Sequence, residues 1–121
     1  LFENYLLNIN TSRNEEICLM INNLGGLSNL ELYSLVNDCC KWLFRSRPNI
    51  LLKRLYCGTL MTSLNMNGFS ITVLRLRDSH KEEILDLLDS PTNAPGWIKS
   101  HVQDLKPFEY VKILSADNQT N

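Results

Sequence analysis

The residues most open to chemistry lie in two short stretches. Asn22-Asn23-Leu24-Gly25-Gly26-Leu27-Ser28 stands between an apolar run and an amphipathic one. At such a strand-to-helix turn, backbone N–H groups and a helix dipole can hold a phosphate. Neither G-x-G-x-x-G nor G-x-x-x-x-G-K-[ST] occurs here, so a tight structural turn is the preferred reading over an anion site. The second stretch follows Gly58, where Thr59, Thr62 and Ser63 cluster three hydroxyls. Without a base nearby in sequence, these read as capping or turn groups, not nucleophiles.

The other chemistry-bearing residues take the bland reading. His80 sits among charges at an expected helix start and His101 in a polar connection, neither at metal-ligand spacing to a partner. Lys81-Glu82-Glu83 with Asp86 and Asp89 reads as a solvated helix face. Trp42 and Trp97 are assigned to packing. Cys18, Cys39, Cys40 and Cys57 show no C-x-x-C spacing, and Cys39 and Cys40 point about 100° apart on a helix. Free, mostly buried thiols in a reducing cytoplasm are expected. The sequons at Asn10 and Asn118 are read as chance.

The elements that position these groups follow from pattern. Ile17 to Ile21 is an unbroken apolar run, a strand covered on both faces. Asn22, Asn23, Gly25 and Gly26 are read as residues that tolerate positive φ where the chain turns. Ser28 and Glu31 match a capping box, and Leu32, Leu35, Val36, Cys39, Cys40, Leu43 and Phe44 form one helical stripe, ended by Arg45 to Asn49 with Pro48. Leu51 to Cys57 is a second strand, with Lys53 and Arg54 marking incomplete burial, and Gly58 closes it. Asn65 to Gly68 is a turn, Phe69 to Leu76 a third strand, and His80 to Leu88 a helix capped by Asp78 or Ser79. Phe108 to Leu114 is a last strand. Leu1 to Leu7 reads as a helix tail, Asn8 to Glu16 as a loop, and residues 115–121 as a polar tail, leaving 1–114 as one partial domain. The order is β-α-β-β-α-β, an α/β (α+β) chain with a helix layer on a sheet.

The chain of 121 residues suits one domain, hiding roughly two-thirds of its unfolded surface. Twelve Lys+Arg against thirteen Asp+Glu gives −1, which argues against a general grip on nucleic acid or anionic membrane. No apolar run approaches the about 20 residues that cross a bilayer. No secretory leader is visible, although the chain starts at Leu1.

Three blocks carry a resemblance. They are Met20-Ile21-Asn22-Asn23-Leu24-Gly25-Gly26-Leu27-Ser28, then Gly58-Thr59-Leu60-Met61-Thr62-Ser63-Leu64 into Gly68-Phe69-Ser70-Ile71, and Leu87-Leu88-Asp89-Ser90-Pro91-Thr92-Asn93-Ala94-Pro95-Gly96-Trp97. In this order they resemble the second half of the substrate-binding domain of the dihydroxyacetone (glycerone) kinases, a domain that animal triokinase/FMN cyclases share. The resemblance implies a two-layer fold, a mixed sheet with helices on one face. It implies a cytoplasmic transferase of glycerol metabolism that phosphorylates dihydroxyacetone or glyceraldehyde, with ATP and magnesium on a separate domain. The family's substrate histidine lies in G-I-H-G-E-P-G, which this sequence lacks. The chain is therefore expected to be a fragment, inactive alone, with no catalytic, cofactor or metal residue of its own. Asn22, Asn23, Gly25, Gly26, Ser28, Glu31, Gly58, Thr59, Thr62, Ser63 and Gly68 are its structural motif residues, shaping a floor for the upstream lobe. The expected partners are that lobe, the triose in the complete protein and a second copy of the chain, with no nucleic acid or membrane. The alternative is a non-catalytic binding or regulatory module on the same fold.

Overall fold

A computed structural model describes residues 14–77, 79–100 and 102–106. The readings made above for Leu1 to Leu7, most of Asn8 to Glu16, Asp78, His101, Phe108 to Leu114 and residues 115–121 fall wholly or partly outside them. Six elements follow one another: β1 (Glu15–Asn23), α1 (Asn29–Ser46), β2 (Ile50–Gly58), β3 (Phe69–Leu76), α2 (Lys81–Asp89) and β4 (Gln103–Leu105). The four strands form one mixed sheet in the order β3-β1-β2-β4. β1 runs parallel to β2 and antiparallel to β3, and β2 runs antiparallel to β4. The class is α+β, as expected.

β1 is the central strand of the core, and its alternation explains both faces. Ile17, Leu19 and Ile21 point to one face, where Ile50, Leu52, Leu55 and Cys57 of β2 join them. Leu32, Cys39, Cys40, Leu43 and Phe44 of α1 close that core, one stripe at three- and four-residue steps. Leu52 and Leu55 are three apart and would point oppositely in a regular strand. A register shift lets both reach the core: Ile17 pairs with Leu52 and Cys18 with Arg54, leaving Lys53 as the extra residue of a bulge.

The other face of β1 presents Cys18, which packs with Leu76 of β3 and Leu85 of α2. The two helices thus lie on opposite faces, so the expectation of helices on one face holds for α1 alone. The physical reason is that both faces of β1 are apolar, and a strand buried on both sides needs two covers.

Several boundaries differ from the sequence reading. Glu15 and Glu16 belong to β1, where Glu15 pairs with Arg75 at 2.6 Å and Glu16 with Lys81 at 3.0 Å. α2 starts after His80, whose side chain makes no cap hydrogen bond, where the sequence reading has a cap at Asp78 or Ser79, the former outside the described residues. β4, three residues long, falls where the sequence pattern offers no strand. No helix among the described residues is long and apolar enough to cross a membrane.

Candidate functional site

The first two sequence blocks meet at the carboxyl ends of the parallel strands β1 and β2, the end of an open sheet where ligands commonly sit. Asn22 and Asn23 do this through their side chains. Both are buried and remain in β1, so they are not the positive-φ turn residues expected of them. Asn22 Oδ1 accepts from the Leu60 N–H (2.8 Å) and the Met61 N–H (3.0 Å), while its Nδ2 donates to the Met61 carbonyl (2.8 Å). Its Nδ2 also reaches Ser70 Oγ at 3.4 Å. Asn23 Oδ1 accepts from the Gly25 N–H (2.9 Å) and the Leu27 N–H (3.2 Å), and Nδ2 donates to the Leu27 carbonyl (2.8 Å). One asparagine holds the far loop and the other folds its own.

Backbone bonds complete the double loop. The Leu24 N–H donates to the Gly68 carbonyl, the Gly26 N–H to the Met66 carbonyl, and the Ser63 N–H to the Leu24 carbonyl, at 2.8–3.0 Å. This close approach explains two glycines. Gly25 has φ +124°, and a Cβ there would stand 2.4 Å from the Leu64 carbonyl oxygen. A Cβ on Gly26 would meet Asn67 and Met66 backbone at 2.8 Å. Gly58 and Gly68 need no such freedom. Neither has positive φ; Gly58 lies under Ile98, and a Cβ on Gly68 would make ordinary contact at 3.5 Å.

The capping box forms as read. The Ser28 hydroxyl accepts from the Glu31 N–H, and the Glu31 carboxylate accepts from the Ser28 N–H at 2.8 Å. Those hydrogen bonds from Ser28 hold Glu31 below its ordinary 4.5. Thr59, Thr62 and Ser63 are exposed, and among the described residues their hydroxyls make no hydrogen bond; Ser63 acts through its backbone. Leu64, at φ +49° and 96% exposed, forms the tip of this loop.

The third block lies on the face that α2 covers. Asp89 is not part of a merely solvated helix face: both its oxygens accept from the Arg54 guanidinium, Oδ1 from Nε at 2.9 Å and Oδ2 from Nη2 at 2.5 Å. These bonds hold Asp89 below its ordinary 3.8. Arg54 is buried, so the incomplete burial expected of it is wrong; its stem is covered while its head is neutralised. Trp97 tilts against Tyr56 with ring centroids 5.2 Å apart. Asp89, Thr92, Trp97, Lys99 and Gln103 border a cleft of about 540 Å³. The clue to the Asp89 pair was Arg54 itself, a charge in an otherwise apolar strand that must find a partner.

The four cysteines are free and buried, Cys18 on the α2 face and the other three in the α1 core. Burial, with Cys39 and Cys57 nearby, pushes the Cys40 thiol up to about 11. His80 is exposed, its Nδ1 3.4 Å from Glu83. Trp42 packs half-buried against the core. Among the described residues no three His, Cys, Asp or Glu side chains come together as a metal site. Among the described residues the close serine–carboxylate pair is Ser28 with Glu31, the capping box.

The Dak1 domain family matches residues 1–96. The dihydroxyacetone kinase of Pichia angusta is 44% identical over 90 residues, covering 72% of this chain and 14% of that protein. The dihydroxyacetone kinase of Komagataella pastoris is 45% identical over 92 residues, 76% of this chain and 15% of that protein. The triokinase/FMN cyclase of Rattus norvegicus is 40% identical over 81 residues, 67% of this chain and 13% of that protein. The chain thus spans 13–15% of the length of these relatives.

Proposed function

The chain belongs to the Dak1 domain family, and from that premise we propose that it is the second lobe of the substrate-binding domain of a dihydroxyacetone kinase-like transferase. In this reading the complete protein phosphorylates dihydroxyacetone, the substrate that the name of the Pichia angusta relative carries, or glyceraldehyde, and does so in the cytoplasm. The lobe supplies a rigid floor, and an upstream lobe supplies the histidine that holds the triose. ATP and magnesium belong to a further domain.

The observation that supports this best is the clamp at the strand ends. Asn22 binds the loop that opens the second block, and Gly25 and Gly26 admit its backbone at distances no side chain would permit. Two stretches some forty residues apart in sequence are thereby held as one preorganised surface. A surface that holds a reacting molecule in place lowers a barrier by orientation, without touching the reacting bond.

A chimera tests the reading. The 90 matched residues of the Pichia angusta dihydroxyacetone kinase are replaced by the corresponding residues of this chain. The expected result is dihydroxyacetone phosphorylation with kcat/KM within ~10-fold of the parent, a loss of no more than about 1.4 kcal/mol of transition-state stabilisation. A chimera with native circular dichroism and no turnover would instead favour the non-catalytic module. The chain by itself, given ATP, magnesium and dihydroxyacetone, is expected to produce no phosphorylated triose.

A further inference from the structure

The loop that joins β2 to β3 ends in Asn67-Gly68, and Asn67 is the one asparagine of the sequence with glycine after it. In such a pair the glycine nitrogen can close a five-membered ring on the asparagine side-chain carbon, with no Cβ to screen it. Asn67 is exposed and lies in neither helix nor strand. Among the described residues its side chain makes no hydrogen bond, and the Gly68 N–H donates to no backbone carbonyl. Apart from its chain neighbours, a Cβ on Gly68 would find only Leu24 Cδ1 near it, at 3.5 Å. Electrophile and nucleophile are both unengaged and open to water. The flanking groups are not. The Met66 carbonyl accepts from the Gly26 N–H at 2.8 Å, and the Gly68 carbonyl from the Leu24 N–H at 3.0 Å. Asn67 is the single residue between two anchors of the clamp.

We propose that Asn67 is a site of spontaneous deamidation, and that its isoaspartyl product releases the clamp between the two loops. The Gly68 nitrogen gives up its proton to hydroxide and attacks Asn67 Cγ. The bond from Cγ to Nδ2 breaks, and the side-chain amide leaves as ammonia after taking a proton from water. The product is a succinimide ring, which water opens at one of its two carbonyls. Cleavage of the new bond between Cγ and the Gly68 nitrogen leaves an aspartate. Cleavage of the original peptide bond leaves an isoaspartate, whose main chain runs through Cβ and Cγ. The aspartate adds a charge on an exposed side chain and keeps both anchors. The isoaspartate adds one carbon, about 1.5 Å of chain, between them. The site has no slack for it: a Cβ on Gly26 would already meet Asn67 N and Cα at 2.9 and 2.8 Å. One anchoring bond, Gly26 to Met66 or Leu24 to Gly68, is therefore lost. Ring closure itself needs only a local opening of an exposed loop, which costs far less than unfolding the sheet.

Incubation of the native 121-residue chain at about pH 8 and ~37 °C, followed by peptide mapping with mass spectrometry, tests this. The expected result is a gain of about 1 Da in the peptide carrying Asn67 before any other asparagine reacts, with aspartate and isoaspartate both formed. Gly68 has no positive φ, so Gly68→Ala is accommodated. Its Cβ crowds the attacking nitrogen and should slow the reaction at least ~10-fold. The isoaspartyl chain, separated by chromatography, should unfold at lower urea than the parent, while Asn67→Asp should keep the parent's midpoint. A native chain that stays unmodified at Asn67 while the urea-unfolded chain reacts would overturn the proposal. So would a Gly68→Ala variant that reacts as fast as the parent, or an isoaspartyl chain whose urea midpoint is the parent's.

Discussion

At the residue scale, the work of the two blocks falls on a few side chains and on the absence of others. Asn22→Ala removes the acceptor of two backbone N–H groups and the donor to the Met61 carbonyl. The freed groups are half-buried, so the expected cost is about 2 kcal/mol, read as a lowered urea midpoint at unchanged slope. The glycines separate in the same assay. Gly25→Ala combines a φ that L-residues rarely adopt with a Cβ 2.4 Å from a carbonyl oxygen, and should cost at least ~2 kcal/mol. Gly68→Ala meets neither obstacle and should be neutral or stabilising by up to about 1 kcal/mol, through the unfolded chain. Equal effects at the two positions would mean that the close approach of the loops is not what Gly25 serves. The turn residues were legible in the sequence as a composition. Which asparagine bonds to what was not, because Asn22 reaches residues 38 and 39 positions away.

At the element scale, each helix has one identifiable tether. For α1 it is the capping box, legible in full because Ser28 and Glu31 are three residues apart. Ser28→Ala should cost about 1 kcal/mol. For α2 the tether is Asp89 to Arg54, which sequence pattern hid: spaced from Glu82 and Asp86, Asp89 completes a polar helix face. Only the placement of α2 on the second face of β1 brings it to β2. Asp89→Asn leaves the buried guanidinium with only the more distant carboxylate of Asp104, 3.8 Å away, at an expected cost of about 1–2 kcal/mol, discounted from the fully buried case because Asp89 is partly exposed. Both carboxylates have folded pKa values below their ordinary 4.5 and 3.8. The unfolded chain therefore takes up protons first as pH falls. Their stabilisation is complete above about pH 5 and is lost as pH drops through the folded values. Stability should fall from pH 5 to pH 3, and the fall should be shallower in Glu31→Gln/Asp89→Asn. An unchanged acid limb in that double variant would place the titration elsewhere.

At the scale of the whole molecule, the two faces of the sheet are unequal, and the cysteines are placed to report it. Among the described residues the α1 face holds the large cluster with Cys39, Cys40 and Cys57; the apolar cluster under α2 is small, with Cys18, Leu76 and Leu85 buried, beside buried Arg54 and Tyr56. The apolar run of β1 announced burial on both sides, and the stripe of α1 announced one cover. That the second cover is a nine-residue helix was not legible, because α2 shows too short a pattern to assign to a face. Buried thiols react only when local or global opening exposes them. The free energy of opening scales with what must be unpacked, so the α2 face should open while the α1 face stays closed. Pulsed alkylation of the native chain, followed by mass spectrometry, should therefore modify Cys18 first, by at least ~10-fold in rate over the other three. Cys39, Cys40 and Cys57 should react together, at the rate set by global unfolding, and mild urea should speed them more steeply than it speeds Cys18. Four cysteines labelled at one common rate would show instead that both faces open as a single unit, with β1 transmitting the packing of one cover to the other.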